Sequence, residues 1–223
     1  MEPEEQSISR LRSSSFQIEE DKFKALEEFF RQLRQIDDQV SCASPTELYE
    51  SQWAFLGIVS RSYQLMLCCI DQIAGGNWNG FYAAARGLVE TLCSVAWVNE
   101  CSDRLLALVR TEKLSIGRML NAGYRKYPEI KEAYSHLSSI VHPNRDSHLL
   151  GFRPVEERRK KGAMSPFNLT LSDYFAKRKV TLITEFASKI NHELLELLSQ
   201  KDNVLRQGKV MAQLIFKMPN QEP

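Results

Sequence analysis

Apolar residues recur every three or four positions along much of the chain, and this spacing constrains the fold more than any other feature. In an α-helix such positions lie on one face, whereas a strand places alternate residues on opposite faces. We therefore predict an amphipathic helix from Ile18 to Val40, with charged residues on its solvent face. The apolar positions of this run are Phe23, Leu26, Phe29, Phe30, Leu33, Ile36 and Val40.

Cap and turn residues divide the rest of the chain into further helices. Ser44-Pro45-Thr46-Glu47 predicts the start of a second helix that runs to about Ala74. The Gly- and Asn-rich segment 75–80 predicts a tight turn after it. The other predicted helices run from about Trp78 to Asn99, from Ser102 to about Tyr124, from Pro128 to His142 and from about Leu171 to Gln200.

These elements predict an all-α protein, an up-and-down bundle of four long helices plus one or two shorter helices. With 223 residues, 43% of them hydrophobic, the chain can bury one substantial core, which we assign to residues 16–200. Residues 1–15 are poor in large apolar groups and are expected to be a flexible tail. Residues 201–223 form a C-terminal extension, in which 210–216 can be a strand, a helical turn or a docked tail.

Charge and cysteine content exclude several classes of protein. The formal net charge is only +1, so no overall field attracts nucleic acid or a membrane. The N-terminus lacks the apolar core of a signal peptide, and no apolar run reaches the roughly 18 residues of a membrane span. The five cysteines have no CxxC spacing and are expected to be reduced core residues of a cytoplasmic protein. Nucleotide-binding glycine motifs are absent too, so we expect no cofactor.

Arg86 and Glu90 are four residues apart and therefore lie on one face of the predicted third helix, which is the most apolar of the chain. Charged groups in such a helix need partners, because an unpaired buried charge is costly. Two interpretations follow. The pair is either an internal ion pair that fixes the helix register, or part of a functional pocket.

His142 ends the predicted fifth helix in the segment LSSIVHPNRDSH. An imidazole can transfer protons near neutral pH, and it can equally cap the carbonyl groups at a helix C-terminus. Asp146 and His148 could join it as metal ligands, but a loop without an HExxH helix does not favour a metal, and we predict none.

A polar stretch follows His142 and contains the basic run Arg158, Arg159, Lys160 and Lys161. Such a run can bind a phosphate backbone or can simply be solvated. If the stretch folds back over the end of the bundle, these cations could share one cleft with Asn144, Arg145 and the residues named above. The candidate catalytic residues are His142, Arg86 and Glu90, and the candidate RNA-binding residues are Asn144, Arg145, Arg158, Arg159, Lys160 and Lys161.

The helix motif ARGLVETL, followed about fifty residues later by LSSIVHP, resembles an uncharacterised bacterial family of all-helical proteins. That family is similar, more loosely, to the HEPN bundle proteins, many of which are metal-independent ribonucleases of toxin and antiviral systems. The resemblance implies an RNA-cleaving or RNA-binding role, a homodimer and a partner protein of the same operon. The positions that match the family are Arg86, Glu90, Ser138, His142 and Pro143.

The chain departs from the HEPN nucleases at one point. Those enzymes carry an Arg followed after four to six residues by His, and the nearest spacings here are Arg145-x2-His148 and Lys131-x4-His136. A non-enzymatic alternative therefore stays open. In it the chain is a helical dimerisation, interaction or sensor module, and Arg86, Glu90 and His142 form a structural polar network.

Overall fold

The computed structural model describes residues 2–42, 47–110, 115–141, 169–200 and 204–213. These residues form an all-α bundle with a small two-stranded sheet, so the predicted fold class is confirmed. The elements are α1 Pro3–Arg12, α2 Glu20–Cys42, β1 Glu47–Tyr49, α3 Glu50–Ala74, α4 Trp78–Asn99, α5 Arg104–Arg110, α6 Ile116–Lys126, α7 Ile130–Val141, α8 Leu169–Ser199 and β2 Val210–Gln213.

Four long helices, α2, α3, α4 and α8, form the bundle, and the described residues add four shorter helices around it where one or two were expected. α3 and α4 run antiparallel, because the tight turn at Gly76 reverses the chain, and Arg61 of α3 contacts Thr91 of α4. α4 and α8 run parallel, since Tyr82 contacts Lys179 and Asn99 contacts Glu193. The short helix α7 accounts for this parallel arrangement, since it runs back along α4 before α8 begins.

α4 lies at the centre of the bundle, as its apolar sequence predicts. It contacts α3, α6, α7 and α8, and 13 of its 22 residues are buried. Its start follows from local chemistry, because the Asn77 side chain accepts a hydrogen bond from the Gly80 amide and so caps the helix. Polar side chains on the buried faces of α4 therefore lie against neighbouring helices.

The N-terminal residues differ from the prediction, because α1 replaces the flexible tail expected for residues 1–15. Ile8 and Leu11 are spaced three apart and are both buried, so α1 docks one apolar face on α2 and α3. Glu4 is also buried and accepts a hydrogen bond from the Tyr63 hydroxyl at 2.5 Å, while Arg34 lies against its other carboxylate oxygen. Two apolar residues and one paired acid thus suffice to order this segment.

Two predicted helices also have different bounds. α3 begins at Glu50 rather than near Pro45, because residues 47–49 form β1 instead. The single helix predicted from Ser102 to about Tyr124 is divided into α5 and α6, and the extended backbone of Ser115 precedes α6. The break frees α6 to pack closely on α4 through Gly123, where an added Cβ would lie 2.3 Å from the Cys93 sulfur.

The described part of the C-terminal extension clamps the start of α3. Val204 and Leu205 are buried, and β2 pairs antiparallel with β1, so of the three conformations left open for residues 210–216 the strand is present at Val210–Gln213. Gly208 takes a positive φ of 86° directly beside Glu50, where a side chain would not fit.

Among the described residues, α3 is the one helix that is long and apolar enough to cross a membrane by length and composition. It packs against α1, α2, α4 and α8, and 44% of its most apolar window is buried. A core helix of a bundle passes the same test, so this feature does not indicate a membrane span.

Candidate functional site

The Glu90 carboxylate is the centre of a polar network between three helices. Arg86 of α4 donates a hydrogen bond from Nε to Glu90 Oε1 at 3.0 Å, and the Tyr134 hydroxyl of α7 donates to the same oxygen at 3.1 Å. Arg61 of α3 places a guanidinium nitrogen 3.9 Å from Glu90 Oε2. The structure therefore confirms that Arg86 and Glu90 are paired, and it adds two partners from other helices. We call Arg61, Arg86, Glu90 and Tyr134 the Glu90 network.

The backbone around the network allows the helices to approach closely. A Cβ added to Gly87 would lie 3.0 Å from the Leu65 side chain, so α3 and α4 meet tightly there. The next residue on that side, Thr91, is buried; its hydroxyl donates to the Gly87 carbonyl at 2.8 Å and accepts from Arg61 Nε at 3.1 Å. The close approach at Gly87 and the hydrogen bond from Arg61 to Thr91 thus position Arg61 beside Glu90.

The Glu90 network carries more positive than negative charge. Two guanidinium groups share one carboxylate, and their side chains remain accessible, with 57% of Arg61 and 24% of Arg86 exposed. Burial opposes the charge of Arg86, but hydrogen bonds and charge interactions with Tyr134 and Glu90 outweigh it and raise the pKa of the guanidinium. The Arg86 guanidinium also lies over the Tyr134 ring, 5.4 Å from its centroid. The Arg86 guanidinium therefore stays charged, and together with Arg61 it can attract an anion.

Nearby groups do not supply a nucleophile at neutral pH. Burial, with a contribution from Glu90, raises the pKa of the Cys93 thiol to about 12. Burial likewise raises the pKa of Tyr124, which neighbours Tyr134, to about 12. A thiol or phenol with so high a pKa stays protonated, so neither Cys93 nor Tyr124 acts as a nucleophile at neutral pH.

Most of the other predicted site residues lie outside the described part of the chain. This applies to His142, Asn144, Arg145, Arg158, Arg159, Lys160 and Lys161, and also to Pro143. The described part of α7 ends at Val141, which lies seven residues, or about 10 Å of helical rise, beyond the Tyr134 of the network. Ser138 has a buried hydroxyl oxygen with no hydrogen-bond partner among the described residues. That His142 and Arg86 share one cleft therefore stays a prediction.

A second cluster next to the network was not predicted. Lys179 of α8 is almost fully buried and donates a hydrogen bond to the Tyr82 hydroxyl at 2.6 Å. His136 of α7 lies edge-on to the Tyr82 ring, with the ring centroids 5.8 Å apart. The sequence does contain a signal for Lys179, because it lies three residues after Ala176 and four before Ile183, on the buried face of its helix.

A third cluster surrounds Glu193 of α8, whose side chain is fully buried. Its carboxylate accepts from Lys126 at 2.7 Å, from the Tyr127 hydroxyl at 2.5 Å and from the Asn99 amide at 2.6 Å. His192 and Glu196 lie near enough to form a metal-ligand set with it. Lys126 also contacts Glu196 at 2.6 Å, so one ammonium group already bridges the two carboxylates and compensates the buried Glu193.

Comparison with protein-family models, with curated proteins and with solved structures finds no match to this chain.

Proposed function

We propose that the protein is a HEPN-like, RNA-binding helical bundle that acts as a metal-independent ribonuclease in a prokaryotic antiviral or toxin–antitoxin system. One observation carries the proposal: two partly exposed arginines share a single carboxylate in the Glu90 network. An excess of guanidinium charge at a partly exposed site favours a phosphate group, which guanidinium binds through paired hydrogen bonds. We further propose a cytoplasmic homodimer that works with a partner protein of the same operon and without a cofactor.

Cleavage of RNA without a metal needs a base for the 2′-hydroxyl, an acid for the leaving oxygen, and a cation for the charged transition state. We assign the cation to Arg86, which Glu90 and Tyr134 hold in place. His142 is assigned proton transfer, because its ordinary pKa is near neutrality. Two-fold symmetry would place two such sets across one cleft.

RNA binding beyond the reacting phosphate is assigned to residues after α7. Amide and cationic side chains contact phosphate and sugar oxygens in most nucleic-acid complexes, and they position the strand without reading its sequence. The residues concerned are Asn144, Arg145, Arg158, Arg159, Lys160 and Lys161.

A gel assay tests the proposal. Purified wild type, His142→Ala and Arg86→Met would be incubated with total RNA, tRNA and single-stranded DNA, without metal and with EDTA. We expect wild type to cleave RNA and both variants to lose at least 100-fold in rate, in the range usual for lost proton transfer or charge stabilisation. Failure of wild type to cleave or bind any RNA would reject the proposal.

The second candidate is a non-enzymatic interaction or sensor module, and one observation favours it. The Glu90 side chain is only 19% exposed and has three polar partners, so the network can serve to lock α3, α4 and α7 together. In that case Arg86→Met should lower the free energy of unfolding by about 1 to 3 kcal/mol, and no RNA activity would exist to lose. Thermal unfolding measured beside the gel assay separates the two functions.

A further inference from the structure

Lys179 has an unusual environment for a lysine. The residue is 8% exposed, and its ammonium nitrogen lies 4.2 Å from the centroid of the Tyr82 ring and 5.6 Å from that of Phe81. Its hydrogen-bond acceptor is the Tyr82 hydroxyl oxygen at 2.6 Å. Two aromatic rings and one hydroxyl thus surround a charge that water would otherwise solvate.

Among the described residues no carboxylate pairs with Lys179, in contrast to the buried Glu193, which has its own lysine. Burial, with repulsion from Arg178 of α8, lowers the pKa of Lys179 to about 8. The exposed imidazole of His136, from α7, lies on the same Tyr82 ring. An ammonium group held in this way is most readily stabilised by an anion that arrives from outside the described chain.

The cluster adjoins the Glu90 network along α4. Tyr82 and Arg86 are four residues apart, so they lie on one face with about 6 Å of helical rise between them. Their two partners on α7 are close in sequence: Tyr134 contacts Arg86, and His136 contacts Tyr82. The two clusters are thus adjacent along α4, about one helical turn apart.

We infer that Lys179, together with Tyr82 and His136, binds a second phosphate of the RNA strand whose neighbouring phosphate is held by Arg61 and Arg86. The Tyr82 hydroxyl orients the ammonium group, and the exposed His136 packs edge-to-face against the same ring. This inference rests on the proposed function, because it assumes that RNA is the ligand.

Salt-dependent binding of a short single-stranded RNA with 2′-O-methyl groups, which cannot be cleaved through the 2′-oxygen, tests the inference. Lys179→Met removes the charge and retains much of the side-chain volume. The matched control is Lys177→Met, which removes an exposed lysine of the same helix that pairs with Asp173 at 3.4 Å. For Lys179→Met we expect affinity to fall about fivefold and the slope of log K against log salt to become shallower by about 0.7. Lys177→Met should change neither.

The outcomes are distinguishable. If folded Lys179→Met has the same slope of log K against log salt as wild type, the inference is overturned and the proposed function stands. If wild type does not bind RNA, both are overturned. If Lys179→Met does not fold, wild type and Lys179→Arg would be compared between pH 7 and 9.5. Wild-type affinity should then fall as pH rises through about 8, and Lys179→Arg should hold its affinity. Parallel pH profiles would contradict a role for Lys179.

Discussion

Glu90 and Glu193 are both carboxylates in the bundle that accept a tyrosine hydroxyl and face a cation, yet they differ in exposure and in charge balance. Glu193 is fully buried and is paired with one lysine, one tyrosine and one asparagine. Glu90 is partly exposed and faces two arginines. Among the described residues, Glu193 shares Lys126 with Glu196, whereas Glu90 faces two guanidinium groups. We infer that Glu193 stabilises the fold, and we propose that Glu90 positions the two arginines for binding.

The pKa values of two lysines, Lys126 and Lys179, also depend on whether a carboxylate is their partner. Burial opposes the charge of Lys126, but hydrogen bonds to Glu193 and Glu196 outweigh it and raise the pKa of the lysine. Lys179, by contrast, has a lowered pKa because burial acts on it without a carboxylate partner among the described residues. The buried Glu193 is therefore compensated by a lysine, whereas the buried Lys179 has no carboxylate partner among the described residues.

The largest effect is expected when the compensated cluster is broken. Glu193→Ala removes the acceptor of the Tyr127 hydroxyl and the carboxylate partner of Asn99, while Lys126 retains Glu196, so we expect the free energy of unfolding to fall by about 3 kcal/mol. Glu196→Ala removes a partly exposed carboxylate of the same helix and should cost about 0.5 kcal/mol. Urea denaturation measures both. Equal losses in the two variants would show that the cluster is not the buried ion pair described above.

The next effect concerns α6, which carries Lys126 and packs on the helix that carries Glu90. In Gly123→Ala the new methyl group would lie 2.3 Å from the Cys93 sulfur, so we expect a loss of about 2 kcal/mol from overpacking. Cys93→Ala in the same chain removes the clashing sulfur and should restore part of the loss. Thermal or urea unfolding of the single and double variants measures this coupling, and additive losses would contradict it.

A smaller effect is expected from pH. Because the pKa of Lys179 is about 8 in the folded protein and near 10.5 when unfolded, the unfolded state binds more protons in this range, and stability contributed by this group rises from pH 8 to 10.5. Lys179→Met should be more stable than wild type at pH 7 by on the order of 1 to 2 kcal/mol, and this advantage should shrink by pH 10. Urea denaturation at both pH values tests the sign. An advantage that grows with pH would contradict it.

Helix positions could be predicted where local chemistry sets them. α4 matches its predicted bounds, because the Asn77 cap and the positive φ of Gly76 lie within the predicted turn segment. α1 was missed because only Ile8 and Leu11 mark its buried face, and the paired Glu4 depends on Tyr63, far away in sequence.

The candidate site was predictable in part for the same reason. Arg86 and Glu90 lie four residues apart, so helical spacing alone pairs them. Tyr134 and Arg61 reach Glu90 from other helices, and helix order around the bundle decides such contacts. The cysteines show the limit of reading burial from local composition: Cys69 and Cys93 are core residues as predicted, while Cys42, Cys68 and Cys101 are exposed.

The most direct test of the central claim uses Arg61, the most exposed cation of the Glu90 network. Arg61→Met should leave thermal stability nearly unchanged, since an exposed charge 3.9 Å from its partner contributes little. Its affinity for single-stranded RNA should fall about fivefold, with a shallower salt dependence than that of wild type. Unchanged RNA affinity in a folded Arg61→Met variant would contradict the claim that this network binds phosphate.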